Sequence, residues 1–185
     1  MKKIVNIENV KILESNFLKV FKNKDPFDDD VYADNIQAKL LLFPTEGYYL
    51  QKEQFKALIQ SITHIGEEQF YISEIEGDCF STLLSNDSYE SGHWVGKNSS
   101  SYEEYTNLPI VLESAIYSTN GSWGILISHE GHAILGGSKE FVEKIQIVYS
   151  YDESCKQRFI EQWERNQKEY NSNIDWIYAF LKQFS

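Results

Sequence analysis

The segment of this 185-residue chain that comes closest to a catalytic pattern is His129-Glu130-Gly131-His132. Zinc hydrolases use HExxH, because i and i+4 spacing places two imidazoles on one helical face with the glutamate as base. Here the spacing is i and i+3, and the intervening pair is a turn former, so the imidazoles become cross-strand neighbours in a hairpin. A third ligand would come from His93 or an acid, which keeps a small metal-dependent hydrolase using the central histidines and acids as the alternative function. A solvated polar turn accounts for the same residues. The stretch GHWVGKNS at 92–99 has the residue types of a phosphate loop, but only three residues separate its glycines and Asn98 follows Lys97. The backbone cradle and the magnesium-binding hydroxyl of the motif are therefore missing, and the acidic neighbourhood repels polyphosphate. Cys79 and His93 suit a thiol mechanism only if the fold joins them, and flanking acids raise a thiol pKa. Glu74, Glu76 and Asp78 alternate so as to share one strand face, a pattern that serves two-carboxylate chemistry or the charged protection of a sheet edge. No GxSxG elbow is present. The reading is of a non-catalytic chain with no cofactor and no metal.

Recognition chemistry is better represented. Asp87, Tyr89, Glu90, Trp94, Tyr102, Glu103, Glu104 and Tyr105 interleave acids with aromatic rings. Aromatics rimmed by charge anchor protein interfaces, and the acids raise on-rate and selectivity for a basic partner. These eight are the expected partner-binding residues. Net charge is −11, and it is concentrated: between Ala57 and Ser138 the basic residue is Lys97, and all four histidines lie in the same stretch. A field of that sign repels nucleic acid and anionic membranes, although it also serves solubility alone. The expected partner is a basic protein, and exposed aromatics also allow burial against a second copy as a homo-oligomer.

The elements that must position these residues are α+β in pattern. Ile7, Val10, Leu13, Phe17, Val20 and Phe21 recur at helical spacing, with Asn9 as a possible cap and a short strand possible before Val10. A loop around Pro26 leads to a strand over 36–43, then to a helix marked by Phe55, Leu58, Ile59 and Ile62. QFYISEI reads as a strand, and 79–108 as a long loop of the kind that is usually functional. Asn120-Gly121 is a hairpin signal in which both turn positions need φ > 0. It sets Ile116 opposite Ile125 and Ser114 opposite Ile127. A second turn at Glu130-Gly131 sets His129 opposite His132 and Ile127 opposite Ile134. The pattern predicts a three-stranded antiparallel meander over 110–117, 122–128 and 132–136, with its central strand covered on both faces. Gly136-Gly137 is expected to break the sheet and Ser138 to cap a helix. Ser154 and Gln157 have capping-box spacing for the next helix, Asn171-Ser172-Asn173 interrupts it, and a short C-terminal helix follows.

Length and an apolar content of 42% fit one globular domain over 1–185. Two cysteines without CxxC spacing, and a start lacking an apolar h-region, suggest a reducing cytoplasm. At SxxGSWGILISxEGHAILGGS, residues 118–138, the chain resembles small bacterial immunity proteins of polymorphic toxin systems. A strand holding Trp-Gly there precedes an acidic turn, a strand ending in Gly-Gly and a helix. The resemblance implies a cytoplasmic antidote that plugs a toxin's active site, and an acidic surface suits a basic, nuclease-like toxin. It transfers no binding residue, and residues 1–108 carry no signature of such a family.

Overall fold

The computed structural model describes residues 1–77, 79–80 and 92–184. Seven strands form one sheet: β1 (Lys2–Lys3), β2 (Ala38–Leu42), β3 (Gln69–Glu74), β4 (His93–Lys97), β5 (Ser114–Ser118), β6 (Gly124–Ile127) and β7 (Ala133–Gly137). Their spatial order is β1-β4-β3-β5-β6-β7-β2, with every neighbouring pair antiparallel. Six helices cover it: α1 (Ile7–Val20), α2 (Lys52–His64), α3 (Tyr102–Thr106), α4 (Lys139–Tyr149), α5 (Ser154–Tyr170) and α6 (Ile177–Lys182). The fold is α+β, with an antiparallel sheet, amphipathic helices and a helical C-terminus.

The helices divide between the two faces because strand side chains alternate. Ile125 and Ile127 of β6 join Phe55 and Leu58 of α2, Tyr105 of α3 and Phe141 and Ile145 of α4 in one core. Leu126, between them, joins Leu13 and Phe17 of α1, Phe159 of α5 and Phe180 of α6 in the other. Each such side chain contributes about 1.5–3 kcal/mol when fully buried, so neither layer is dispensable. The cover expected on both sides of WGILIS is present.

Local signals explain most boundaries. Asn6, not Asn9, caps α1 by accepting from the Glu8 N–H at 2.9 Å. Ser138 caps α4 by accepting from the Phe141 N–H. The Ser154–Gln157 box does not form; Ser154 is already inside α5, and Asp152 accepts from its N–H at 2.9 Å. Gly136 and Gly137 do not break the sheet but end β7. A Cβ on Gly136 would lie 2.5 Å from the Tyr32 ring, and one on Gly137 would lie 2.9 Å from Phe141. Glycine is required there because rings from both layers press on the strand.

The expected long loop over 79–108 contains two elements of five residues each, β4 and α3, too short to show a period. β4 makes β3 an interior strand, flanked by β4 and β5, so Glu74 and Glu76 do not mark a sheet edge. Glu74 accepts from the Val111 N–H at 3.0 Å, Glu76 lies beyond the strand, and Asp78 falls outside the described residues.

The first hairpin has the register predicted, with Ser114 opposite Ile127 and Ile116 opposite Ile125. Only Gly121 of its turn takes positive φ, at 82°. Asn120 instead donates its side-chain N–H to Glu67 at 3.0 Å, as do the hydroxyls of Ser118 and Ser122 and the indole of Trp123. A carboxylate on the α2–β3 connection thus gathers four side chains of the hairpin tip. Charge-assisted hydrogen bonds of this kind are about twice as strong as neutral ones.

Replacing Glu67 by Ala should lower unfolding free energy by about 2 kcal/mol. The neighbouring exposed Glu68→Ala should change it by less than about 0.5 kcal/mol. Urea denaturation of the two variants makes the comparison.

Candidate partner-binding site

The predicted recognition residues do not form one patch. Asp87, Tyr89 and Glu90 lie outside the described residues. Trp94 is buried in β4 on the α2 side of the sheet, and Tyr105 is fully buried, its ring stacked on Phe55 at 4.7 Å. The Tyr105 hydroxyl accepts from the Leu50 N–H at 3.0 Å. Both rings are core residues, which removes them as anchors: α3 folds back over the sheet and spends them on packing. Tyr102 is half-buried and donates to Glu46 and to the Leu50 carbonyl; burial and the adjacent Glu46 push its phenol up to about 12. Glu104 completes the α3 capping box with Ser101 and pairs with the Met1 amino group at 3.2 Å. Glu103 is exposed, and among the five of these that are described it alone combines exposure with no side-chain bond.

A denser group of acids lies at the end of the sheet where β3 finishes, β5 begins and β6 turns into β7. The register there departs from expectation. Ile127 pairs with Ala133 and Leu126 with Ile134, one residue short of the predicted match. The loop has three residues: Gly131 donates to the Ser128 carbonyl, takes φ of 80°, and the Ser128 N–H donates to His132 O at 2.9 Å. This is a type I turn closed by a left-handed glycine, which consumes one more residue than a two-residue turn. A one-residue slip changes what every side chain faces. His132 points into the core and His129 sits in the loop, so the two imidazoles are not cross-strand partners.

His129 lies between two carboxylates, with Nδ1 3.1 Å from Glu113 and Nε2 3.4 Å from Glu130. Carboxylates only accept, so both contacts are satisfied together only when the imidazolium donates from each nitrogen. Glu113 is largely buried, and burial, with Glu76 and Asp25 nearby, holds its carboxyl above the usual carboxylate range despite the histidine. Beside this group the Phe27 ring packs at 6.3 Å from His129, 6.2 Å from Trp163 and 5.4 Å from Trp176. The Trp163 indole nitrogen is buried and has no hydrogen-bond partner among the described residues. On the other flank, Val111 and Leu112 expose apolar side chains, and Leu112 adopts φ of 70°. That conformation costs a non-glycine residue about 1 kcal/mol or more. Glu76, Glu113, Glu130 and His129 lie in the charged stretch read from the sequence, but none was among the expected partner-binding residues and Asp25 lies outside that stretch; Phe27, Trp163 and Trp176 come from segments read as loop and helix, and only the fold joins them.

His132 and His93 are structural, and His64 lies exposed at the end of α2, 3.3 Å from Glu140. His132 donates from Nε2 to the Pro26 carbonyl at 3.1 Å and is ringed by Phe27, Phe159 and Phe180. His93 is buried and linked through Nε2 to the Cys79 carbonyl at 2.9 Å and through Nδ1 to Ser73 at 2.8 Å. Ser73 in turn meets the Tyr117 hydroxyl at 3.0 Å. With the carbonyl fixing the tautomer, His93 donates from Nε2 and accepts from Ser73, which accepts from Tyr117. This chain joins Cys79 to the sheet but offers no exposed nucleophile. Cys79 is half-buried and Cys155 is buried. Among the described residues no group of three or more His, Cys, Asp or Glu side chains is arranged to hold a metal ion. No helix among them is long and apolar enough to cross a membrane.

Burial pushes the His132 imidazole down to about 4 from 6.5. The folded state keeps it neutral while the unfolded chain takes up a proton, so its stabilising share is complete above about pH 6.5 and is lost as pH falls. The loss between pH 6.5 and 4 should be about 3 kcal/mol. Denaturant titrations over that range should show it, and His132→Phe should flatten the slope by that amount. Glu113, raised by burial, contributes with the opposite sign and is common to both proteins.

Comparisons with protein-family models, curated proteins and solved structures gave no significant match to this chain.

Proposed function

We propose that the chain is a non-catalytic protein-binding module whose acidic sheet end captures a basic partner. The observation that carries this is the pair Glu113 and Glu130 closing on His129, with Asp25 and Glu76 adding to the field. Uncharged imidazole can serve only one of the two carboxylates, whereas a lysine or arginine from a partner can serve the group at any physiological pH. Lys24 reaches this end but donates to the Gly77 carbonyl. The half-buried Phe27 and Trp176 rings on one side, and the exposed Val111 and Leu112 on the other, supply apolar surface around the charge, with buried Trp163 packed behind the rings. That is the composition of interface anchors.

The immunity-type resemblance at 118–138 gives this reading its most concrete form: an antidote acting in the cytoplasm on a basic, nuclease-like toxin. The acidic end suits such a target because steering between opposite charges speeds association. The hydrolase alternative draws on His93, His129 and His132, but two of these are buried and bound to backbone carbonyls. Nothing in their arrangement favours it.

The test is affinity capture from the native host followed by binding measurements with the recovered protein. The expected result is a basic protein whose association slows steeply with salt. The double variant Glu76→Lys/Glu130→Lys should slow association by about tenfold or more at low salt, while Glu103→Lys on α3 should leave it within about twofold. Binding that ignores both salt and the double reversal would remove the proposal.

A further inference from the structure

Lys97, Ser99 and Ser100, from the stretch that resembles a broken phosphate loop, line a cavity of about 600 Å³ together with Lys2 and Gln69. In the sequence this stretch sits among acids. In the fold β1 brings a second cation, Lys2, from the start of the chain to β4. Lys2 pairs with Val95, Tyr71 with Val95, and Gln69 with Lys97. Residues paired directly across a sheet share a face, so Lys2, Val95, Lys97, Gln69 and Tyr71 all stand on the α1 side. The alternate residues, Phe70, Ile72 and Trp94, fill the opposite core. Neither Lys2 nor Lys97 is in an ion pair among the described residues, although the chain carries −11 overall. The carboxylate at the cavity wall, Glu104, is occupied: one oxygen meets the Met1 amino group at 3.2 Å and the other accepts from the Ser101 N–H at 2.8 Å.

The cavity continues into a second hollow of about 170 Å³ that shares Gln69 and Val95 and is walled by Ile4, Ile12, Leu13 and Tyr71. Ile12 is 53% exposed, an apolar side chain without cover beside a cationic pocket. The groove therefore has two unlike ends, one carrying two positive charges outside any ion pair with hydroxyl and amide groups, the other richer in apolar side chains, with Asn9 also in its wall.

We propose that this groove binds a soluble phosphate monoester with an apolar arm. The phosphate sits between Lys2 and Lys97 with Ser99, Ser100 and Gln69 as hydrogen-bond donors, and the arm lies over Val95 and Tyr71 against Ile12. Charge matching selects the head group: a phosphate monoester carries a charge of about −1.5 to −2 near neutral pH and offers three acceptor oxygens, which answers two lysines better than a monovalent carboxylate does. The cavity is walled by the α1 face of the sheet together with Met1 and with Glu104 of α3, beside the two-residue edge strand β1, and an enclosure of that size suits a compact ligand. The groove is remote from His129 in the fold, on a different strand pair, so its ligand does not compete with the partner site.

Titration of the full chain with 1-naphthyl phosphate, followed by amide chemical shifts, tests this directly. Saturable shifts are expected at 69–71, 95–100 and Ile12, with inorganic phosphate binding at least about tenfold more weakly because it lacks the arm. Lys97→Gln and Lys2→Gln, both at exposed positions, should each weaken naphthyl phosphate by about tenfold. Ile12→Asp should erase the preference for naphthyl over inorganic phosphate and leave its head-group contacts in place. Lys39→Gln, on β2 at the other edge of the sheet, should change nothing. The proposal is overturned by absence of saturable shifts, by shifts centred elsewhere, by unaltered affinity in both lysine variants, or by binding only to vesicles that contain phosphatidic acid, which would assign the head-group chemistry to a lipid surface.

Discussion

A four-residue strand with no exposed side chain dictates this architecture. Every residue of β6, Gly124–Ile127, is buried. A strand apolar on both faces is stable only when each face is covered, and the helices therefore cannot pack as one layer. Amphipathic α1, α5 and α6 take one side and α2, α3 and α4 the other, and the sheet separates the two cores, with Tyr151 packing against both. The glycines of β7 follow from the same constraint, since the strand next to β6 must admit Tyr32 from one layer and Phe141 from the other.

The parts legible in the sequence are those where a local rule and the tertiary demand coincide. Phe55, Leu58 and Ile62 mark a helix because the period and the core contact are the same fact. The Asn120-Gly121 hairpin has the expected register because the alternation of Ile116 against Ile125 fixes the pairing, even though the turn itself is not the expected type. The second hairpin shows the limit. Gly131 signals a turn, but whether the loop takes two residues or three depends on which ladder the flanking side chains prefer, and Ala133 proves to be Ile127's partner. That one residue separates a pair of facing histidines from a core histidine and a loop histidine.

The site was less legible for a related reason. Aromatic rings near acids look alike in sequence whether they anchor a partner or fill a core, and burial decides between them. Trp94 and Tyr105 went to the core because β4 and α3, each of five residues, are held by their neighbours without any periodicity of their own. Phe27 joins Trp163 and Trp176 from more than a hundred residues away in the chain, a distance that no spacing rule links. Glu76, Glu113 and Glu130 belong to the charged stretch read from the sequence, but the expected partner-binding residues lay at 87–105, and only the fold gathers these acids near His129.

The Glu67 clamp bears on how this protein can change over evolutionary time. Ser118, Asn120, Ser122 and Trp123 belong to the most distinctive segment of the chain, yet their side chains converge on a buttress for the hairpin tip, at the opposite end of the sheet from His129. Their identity is answerable to folding alone. Glu130, in contrast, lies in the same segment on a turn closed by the left-handed Gly131, whereas Asp25 and Glu76 lie outside it. Likeness across 118–138 would therefore report the frame together with one acid of the proposed surface, and a change of target would be written mainly at Asp25 and Glu76.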